Sequence, residues 1–236
     1  MTAPSRSGSR PVERIGHRGA PREFPENTLP AFERALERGA DAIELDVHAT
    51  SDSVVVVHHD PVIGRCSNPA ASGRALATLS WREVSEVQLA ADITVPSLAQ
   101  VLNLVGSRAK VYVEIKGAGI ESAVARTIAD GPARCAVHSF DHSIIARMAN
   151  VAPNLPRGIL FDSYPQDVWL AMRDASALDV WPRWSLIDQA LVRAVHDAGG
   201  RVIAWTVNDA KVAARLIAQD VDALCTDDVR LLDRVR

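Results

Sequence analysis

The chain has 236 residues, 47% of them apolar, and a net charge of -3. That is enough chain for one substantial core, and α/β barrels commonly occupy this length as a single domain. The near-neutral charge excludes a broad attraction for nucleic acid or anionic membrane, so any anion site is a local group of a few cationic side chains.

Residues 1–13 are polar and read as a flexible tail ahead of a single domain over 14–236. The tail lacks the apolar run of a secretory signal, and no later stretch is long and apolar enough for a membrane span. Short β-rich runs then follow at 14–16, 42–47, 111–115, 136–139, 158–161, 178–181, 202–207 and 223–226. Helical spacing fills most intervals, as at 29–38, 120–129, 187–198 and 210–218, with Gly39 and Gly199 where helix C-terminal glycines belong. About eight such βα units favour a closed parallel (β/α)8 barrel over an open sheet. The insertion, about 51–95, breaks the alternation after the second barrel strand. It holds an extra strand at 54–58, a loop rich in Ser, Pro, Gly and Ala, and a short helical stretch at 80–89, and is expected to cover part of one barrel end. Cys66, Cys135 and Cys225 form no zinc spacing and no disulfide framework, which suits a reducing cytoplasm and small buried side chains.

The chemistry-bearing residues fall at the ends of these runs. His17 and Arg18 follow the first, between Gly16 and Gly19, whose small size lets backbone approach a ligand. Arg18 offers a planar fork for a phosphodiester and His17 a proton near neutrality, although a strand-end histidine is also a common packing residue. Thr28 reads as the N-cap of the first helix, with Pro30 in its first turn and Asn27 able to brace a neighbouring loop. Glu44 and Asp46 are two apart and share one face of the second strand, a pairing that a divalent cation or a solvated strand end would each explain. Glu114 and Lys116 repeat the spacing, as a third ligand beside a phosphate contact or as a plain ion pair. His58 and His59 end the extra strand facing opposite ways, so at most one meets the site. Phe140 and Trp205 would line the C-terminal mouth, with Trp181 and Trp184 as further rim candidates, while His48 and His138 read as structural.

In chain order, His17-Arg18-Gly19, Pro25-Glu26-Asn27-Thr28, Glu44-Leu45-Asp46, His59-Asp60, Pro96-Ser97-Leu98, Glu114-Ile115-Lys116, Ser139-Phe140-Asp141, Trp205-Thr206-Val207-Asn208 and Thr226-Asp227-Asp228 together resemble the glycerophosphodiester phosphodiesterase family. The resemblance implies a TIM barrel with a small insertion after strand two. It implies an enzyme that hydrolyses glycerophosphodiesters to glycerol 3-phosphate and an alcohol, its partner being that small-molecule substrate. By position, His17 and His59 would be the acid and base, and Glu44, Asp46 and Glu114 the ligands of a divalent metal, Mg2+ or Ca2+. Arg18 and Lys116 would hold phosphate, Phe140 and Trp205 would contact substrate, and Glu26 and Asn27 would support the loop. Lysophospholipase D-type action and a non-catalytic phosphate-ester-binding barrel are the alternatives. The chain departs from the family pattern at Asp220-Val221-Asp222, where a glycine is usual, at Val229, where a proline is, and at Ala99-Gln100, where an acidic residue is.

Overall fold

The protein's structure is a computed structural model that describes residues 11–64 and 71–234. Most of the expected tail, part of the insertion loop and Cys66 lie outside the described residues. The chain enters the barrel with β1 (Glu13–His17), one residue inside the span read as tail, and continues through α1 (Leu29–Glu37) into β2 (Ala42–Ala49). The insertion contributes β3 (Val55–Val57), α2 (Trp81–Ser85), β4 (Gln88–Ala90) and β5 (Ile93–Thr94). Regular alternation resumes with α3 (Leu98–Val105), β6 (Lys110–Ile115), α4 (Glu121–Asp130), β7 (Arg134–Ser139), α5 (His142–Val151) and β8 (Arg157–Phe161). It ends with α6 (Val168–Ala175), β9 (Asp179–Pro182), α7 (Gln189–Asp197), β10 (Arg201–Ala204), α8 (Ala210–Ala218) and β11 (Ala223–Thr226).

β1, β2 and β6 to β11 are joined in parallel, and β1 pairs with both β2 and β11, so eight strands among the described residues close the expected (β/α)8 barrel. Strand residues alternate faces, and the burial sorts accordingly. Outward residues such as Leu45, Val113, Val137, Val180 and Leu224 pack under the helices. Inward residues make tiers. Ile15, Ala42, Tyr112, Ala136, Trp181, Ile203 and Ala223 fill the middle. At the floor, Tyr112 Oη donates to Glu13 Oε2 (2.9 Å) and accepts from Lys110 Nζ (2.9 Å), while Arg201 pairs with Glu13 and Asp179. The top tier is polar and forms the site.

The insertion keeps its own small core, including Val56, Ile63, Leu76, Leu79, Val84 and Val87, and is tied to the barrel by β3 running antiparallel to β2. Two expectations shift here and at β10. Only Trp81–Ser85 of the stretch 80–89 is helical, opened by a Ser80–Glu83 capping box, because Gln88–Ala90 turns back to pair with Ile93–Thr94. The seventh barrel strand stops at Ala204 rather than 207. Beyond it isolated contacts continue among the described residues, Trp205 N to Pro182 O (3.3 Å), Trp184 N to Trp205 O (2.8 Å) and Val207 N to Cys225 O (2.8 Å). Gly39 (φ +81°) and Gly199 (φ +77°) take the left-handed conformation expected of helix ends. Thr28 does stand at the N-cap of α1, but its hydroxyl donates to Pro25 O (2.6 Å) and caps nothing. Cys135 and Cys225 are buried, free thiols. No helix among the described residues is long and apolar enough to cross a membrane.

Candidate active site

The C-terminal ends of the barrel strands enclose a cavity of about 230 Å3. Of the site and rim candidates singled out from the sequence, His17, Arg18, Glu44, His59, Glu114, Lys116, Phe140, Trp181 and Trp205 line it. Asp46, Glu26 and Asn27 stand behind that surface and act on it through hydrogen bonds and ion pairs.

The first turn is built by close packing against α1 rather than by room for a ligand, which corrects the reading of its glycines. A Cβ on Gly16 would come within 2.9 Å of Gly19 O, and one on Gly19, at φ +89°, within 2.6 Å of the Ala31 backbone. Held this way, Arg18 adopts a left-handed φ of +54°. Its backbone N–H donates to Glu44 Oε2 (3.2 Å), and Nη1 donates to Glu26 Oε1 (2.8 Å). Its Nε sits 3.1 Å from Asp46 Oδ2. Next to it, His17 Nδ1 donates to Asp227 Oδ1 (2.7 Å), and Asn208 Nδ2 steadies the other Asp227 oxygen (2.6 Å). Burial alone would lower the His17 pKa, but the Asp227 hydrogen bond and the Glu44 charge outweigh it and hold the ring above its ordinary value.

Period-two geometry brings Glu44 and Asp46 to the same interior, both buried, with Glu114 opposite Asp46 in the β2–β6 register. Asn27 clamps Asp46 at two points, donating from Nδ2 to Oδ2 (2.9 Å) and accepting the Asp46 N–H at Oδ1 (3.3 Å). Lys116 Nζ reaches Glu114 Oε1 at 3.0 Å and Asp46 Oδ1 at 3.6 Å. Burial opposes ionisation of Asp46, yet Arg18, Asn27 and Lys116 keep it below the usual carboxylate range. Burial, and then the Asp46 charge, push Glu114 up to about 7. Asp46 Oδ1 is fully buried with no hydrogen-bond partner. An orphaned carboxylate oxygen beside carboxylates short of positive charge fits a divalent cation. Glu44, Glu114 and His138 can each bring a ligand atom within 4.8 Å of one another. Asp46 is not in that cluster.

His59 Nδ1 donates to Asp60 Oδ1 (2.8 Å) at the cavity edge, whereas His58 turns to Asp60 O (2.8 Å) and does not line it. His48 braces this loop, its Nε2–H donating to His59 O (3.1 Å) from a ring whose pKa burial lowers. Phe140 and Trp205 meet edge to face at 5.3 Å, and Trp205 Nε1 donates to Trp181 O (2.9 Å). Trp181 lines the cavity too, but from within the barrel rather than at its rim. It is 1% exposed, and its indole fits only because position 158 is glycine, where a Cβ would lie 2.8 Å from Nε1. Trp184 is exposed and stacks near Arg215.

Two site residues escaped the sequence reading. His138, read as structural, faces the cavity beside Glu44, as its place two residues beyond inward Ala136 on β7 signals. Asp227 orients His17 across a separation of 210 positions, and only the Thr226-Asp227-Asp228 motif marked it.

Comparison with known proteins agrees with this geometry. The glycerophosphoryl diester phosphodiesterase family matches over residues 17–231. A glycerophosphodiester phosphodiesterase of Caldanaerobacter subterraneus subsp. tengcongensis is 30% identical, over 92% of this chain and 95% of its own. A probable glycerophosphodiester phosphodiesterase 2 of Mycobacterium tuberculosis is 32% identical, over 92% of this chain and 88% of its own. Among solved structures, one from Silicibacter pomeroyi superposes with a TM-score of 0.86 at 25% identity, covering 96% of this chain and 94% of that one. An Oleispira antarctica phosphodiesterase, solved with its product sn-glycerol-3-phosphate, gives 0.86 at 21% identity and shares the fold, covering 94% of this chain and 95% of its own. With its motifs gathered at one barrel mouth and a match spanning nearly its whole length, the chain belongs to the glycerophosphoryl diester phosphodiesterase family.

Proposed function

We propose that the protein hydrolyses glycerophosphodiesters to glycerol 3-phosphate and an alcohol, with His17 and His59 as the acid–base pair. One observation carries this reading. Two histidines at one cavity each give Nδ1 to a carboxylate, leaving Nε2 for substrate, beside two cationic side chains and three buried carboxylates. Glu44, Asp46 and Glu114 would hold a divalent cation, Mg2+ or Ca2+, which when bound supplies charge neutralisation to the phosphoryl oxygens.

The protein's own residues do the rest. Arg18 and Lys116 orient the phosphodiester, with Glu26 and Asn27 holding Arg18 and Asp46 in place. Protein nucleophiles do not fit the chemistry: burial pushes the Cys225 thiol well above its usual pKa, and Ser139 Oγ donates to Ile115 O (2.7 Å). The attacking group is then a neighbouring glycerol hydroxyl of the substrate. It loses its proton to His59 Nε2 as it bonds to phosphorus, while His17 protonates the departing alcohol oxygen. A cyclic phosphate results, which water opens with the proton transfers reversed. Phe140 and Trp205 form the apolar wall for the substrate.

Release of glycerol 3-phosphate from glycerophosphocholine by EDTA-treated protein, before and after adding Mg2+, Ca2+ or Mn2+, tests the proposal. Turnover that returns with metal supports it. Silence from folded protein with every metal sinks it in favour of lysophospholipids or of a binding barrel.

A further inference from the structure

His138 is the one cavity-facing histidine with no assigned task. It is 1% exposed, and among the described residues neither ring nitrogen is hydrogen-bonded. Nε2 stands 3.7 Å from Glu44 Oε1, too far for a hydrogen bond, and Nδ1 has no partner. A buried imidazole left so is costly, and it persists only where something else uses it. Its ring is nevertheless held. It stacks on Trp181 at 4.3 Å with planes 13° apart, and Tyr112 meets it edge-on at 6.3 Å. Aromatic faces thus set the ring's plane without occupying its nitrogens. In the β6–β7 register His138 lies directly beside Glu114, and its ligand atom falls within 4.8 Å of those of Glu44 and Glu114.

We propose that His138 supplies an imidazole nitrogen to the divalent cation, together with Glu44 and Glu114. The site is then a mixed nitrogen–oxygen one that favours Mn2+, and ions such as Co2+ and Zn2+, over Mg2+ and Ca2+. The inference rests on the metal reading above, keeps its carboxylates, and changes the preferred ion from Mg2+ or Ca2+ to a first-row transition ion. Imidazole raises affinity along the first-row transition series, whereas Mg2+ and Ca2+ select all-oxygen sets. Trp181, and Gly158 that makes room for it, become positioning residues for the ligand ring.

The test is metal binding by the stripped, full-length protein, measured by titration calorimetry with Mn2+ and Ca2+ and by pulsed EPR of bound Mn2+. Wild type is expected to bind Mn2+ about tenfold or more tighter than Ca2+ and to show 14N coupling from a directly bound imidazole. In His138→Gln that coupling disappears and Mn2+ affinity falls about tenfold, while Ca2+ affinity stays within about twofold because the amide oxygen suits it. The wild-type EPR spectrum needs no variant, so a variant that fails to fold leaves the test intact. Bound Mn2+ without 14N coupling, or coupling that survives in His138→Gln, overturns the role of His138 while leaving the metal reading standing. No binding of either ion overturns both.

Discussion

At the level of single residues, proton positions decide what the cavity can do. The His17 pKa is held above its ordinary value because the Asp227 hydrogen bond and the Glu44 charge outweigh burial. A raised pKa means the imidazolium is present below it and lost as pH rises through it, so a rate that needs this acid falls on the alkaline side. Asp227→Asn keeps a hydrogen-bond acceptor but removes the charge, and should move that alkaline limb of kcat/KM to lower pH; an unmoved limb would take the acid role from His17. His59 and His58 separate equally cleanly. His59→Ala should lower kcat by about a hundredfold or more with KM little changed, and His58→Ala by less than about tenfold. Equal losses in steady-state kinetics would mean that the wrong histidine faces the substrate. Alternation along the extra strand allowed only one of this pair to face the site, but choosing His59 took the family motif, since neither lies within Val55–Val57.

At the level of elements, the departures from the family pattern have structural tasks. Gln100 Oε1 accepts the Ser97 N–H (2.8 Å) and completes the capping box of α3 in place of an acidic residue. Val229 is buried, and its carbonyl receives Arg14 Nη2 (2.8 Å). Asp222 Oδ2 accepts from His196 Nε2 and from Val202 N, both at 2.8 Å. Asp220 is different: it is exposed and sits in the α8–β11 turn at φ +68°, where glycine is free of strain. Asp220→Gly should therefore stabilise the fold by about 0.5–1 kcal/mol, read from the denaturant midpoint at unchanged m-value. A loss of stability would show that the Asp220 side chain does something that the turn geometry does not reveal.

For the molecule as a whole, the polar residues of the candidate site and those of the floor sit at opposite ends of one barrel, separated by the apolar middle tier. The floor depends on Arg201, which joins Glu13, Tyr112 and Asp179. Arg201→Met would remove the guanidinium that pairs with Asp179 and Glu13, leaving them the Lys110 charge and the Tyr112 hydroxyl, at a cost of about 3 kcal/mol near neutral pH. The pH dependence has a definite sign. Burial raises the Asp179 pKa even with Arg201 and Lys110 opposing it, so the folded state binds its proton more tightly than the unfolded state does. The variant's deficit should shrink as pH falls toward the ordinary carboxylate range and grow as pH rises. Thermal unfolding across pH checks this, and a deficit independent of pH would place the loss in packing instead.

The order and type of the elements were written in the sequence, because burial period is local: β11 was legible residue for residue, and the carboxylates of Glu44-Leu45-Asp46 had to share a face. The closing of the barrel was legible only as a count of βα units. Three things were decided by tertiary structure. Gly16 and Gly19 serve packing against Ala31 and Ala35, a contact that no local rule contains. Trp181 is swallowed by the barrel because Gly158, on the neighbouring strand, vacates the space. His138 and Asp227 join residues about a hundred and two hundred positions away, and only closure of the ring brings β7 and β11 up to the ends of β1 and β2. Pairings at that range depend on register around the whole barrel, which local spacing does not encode.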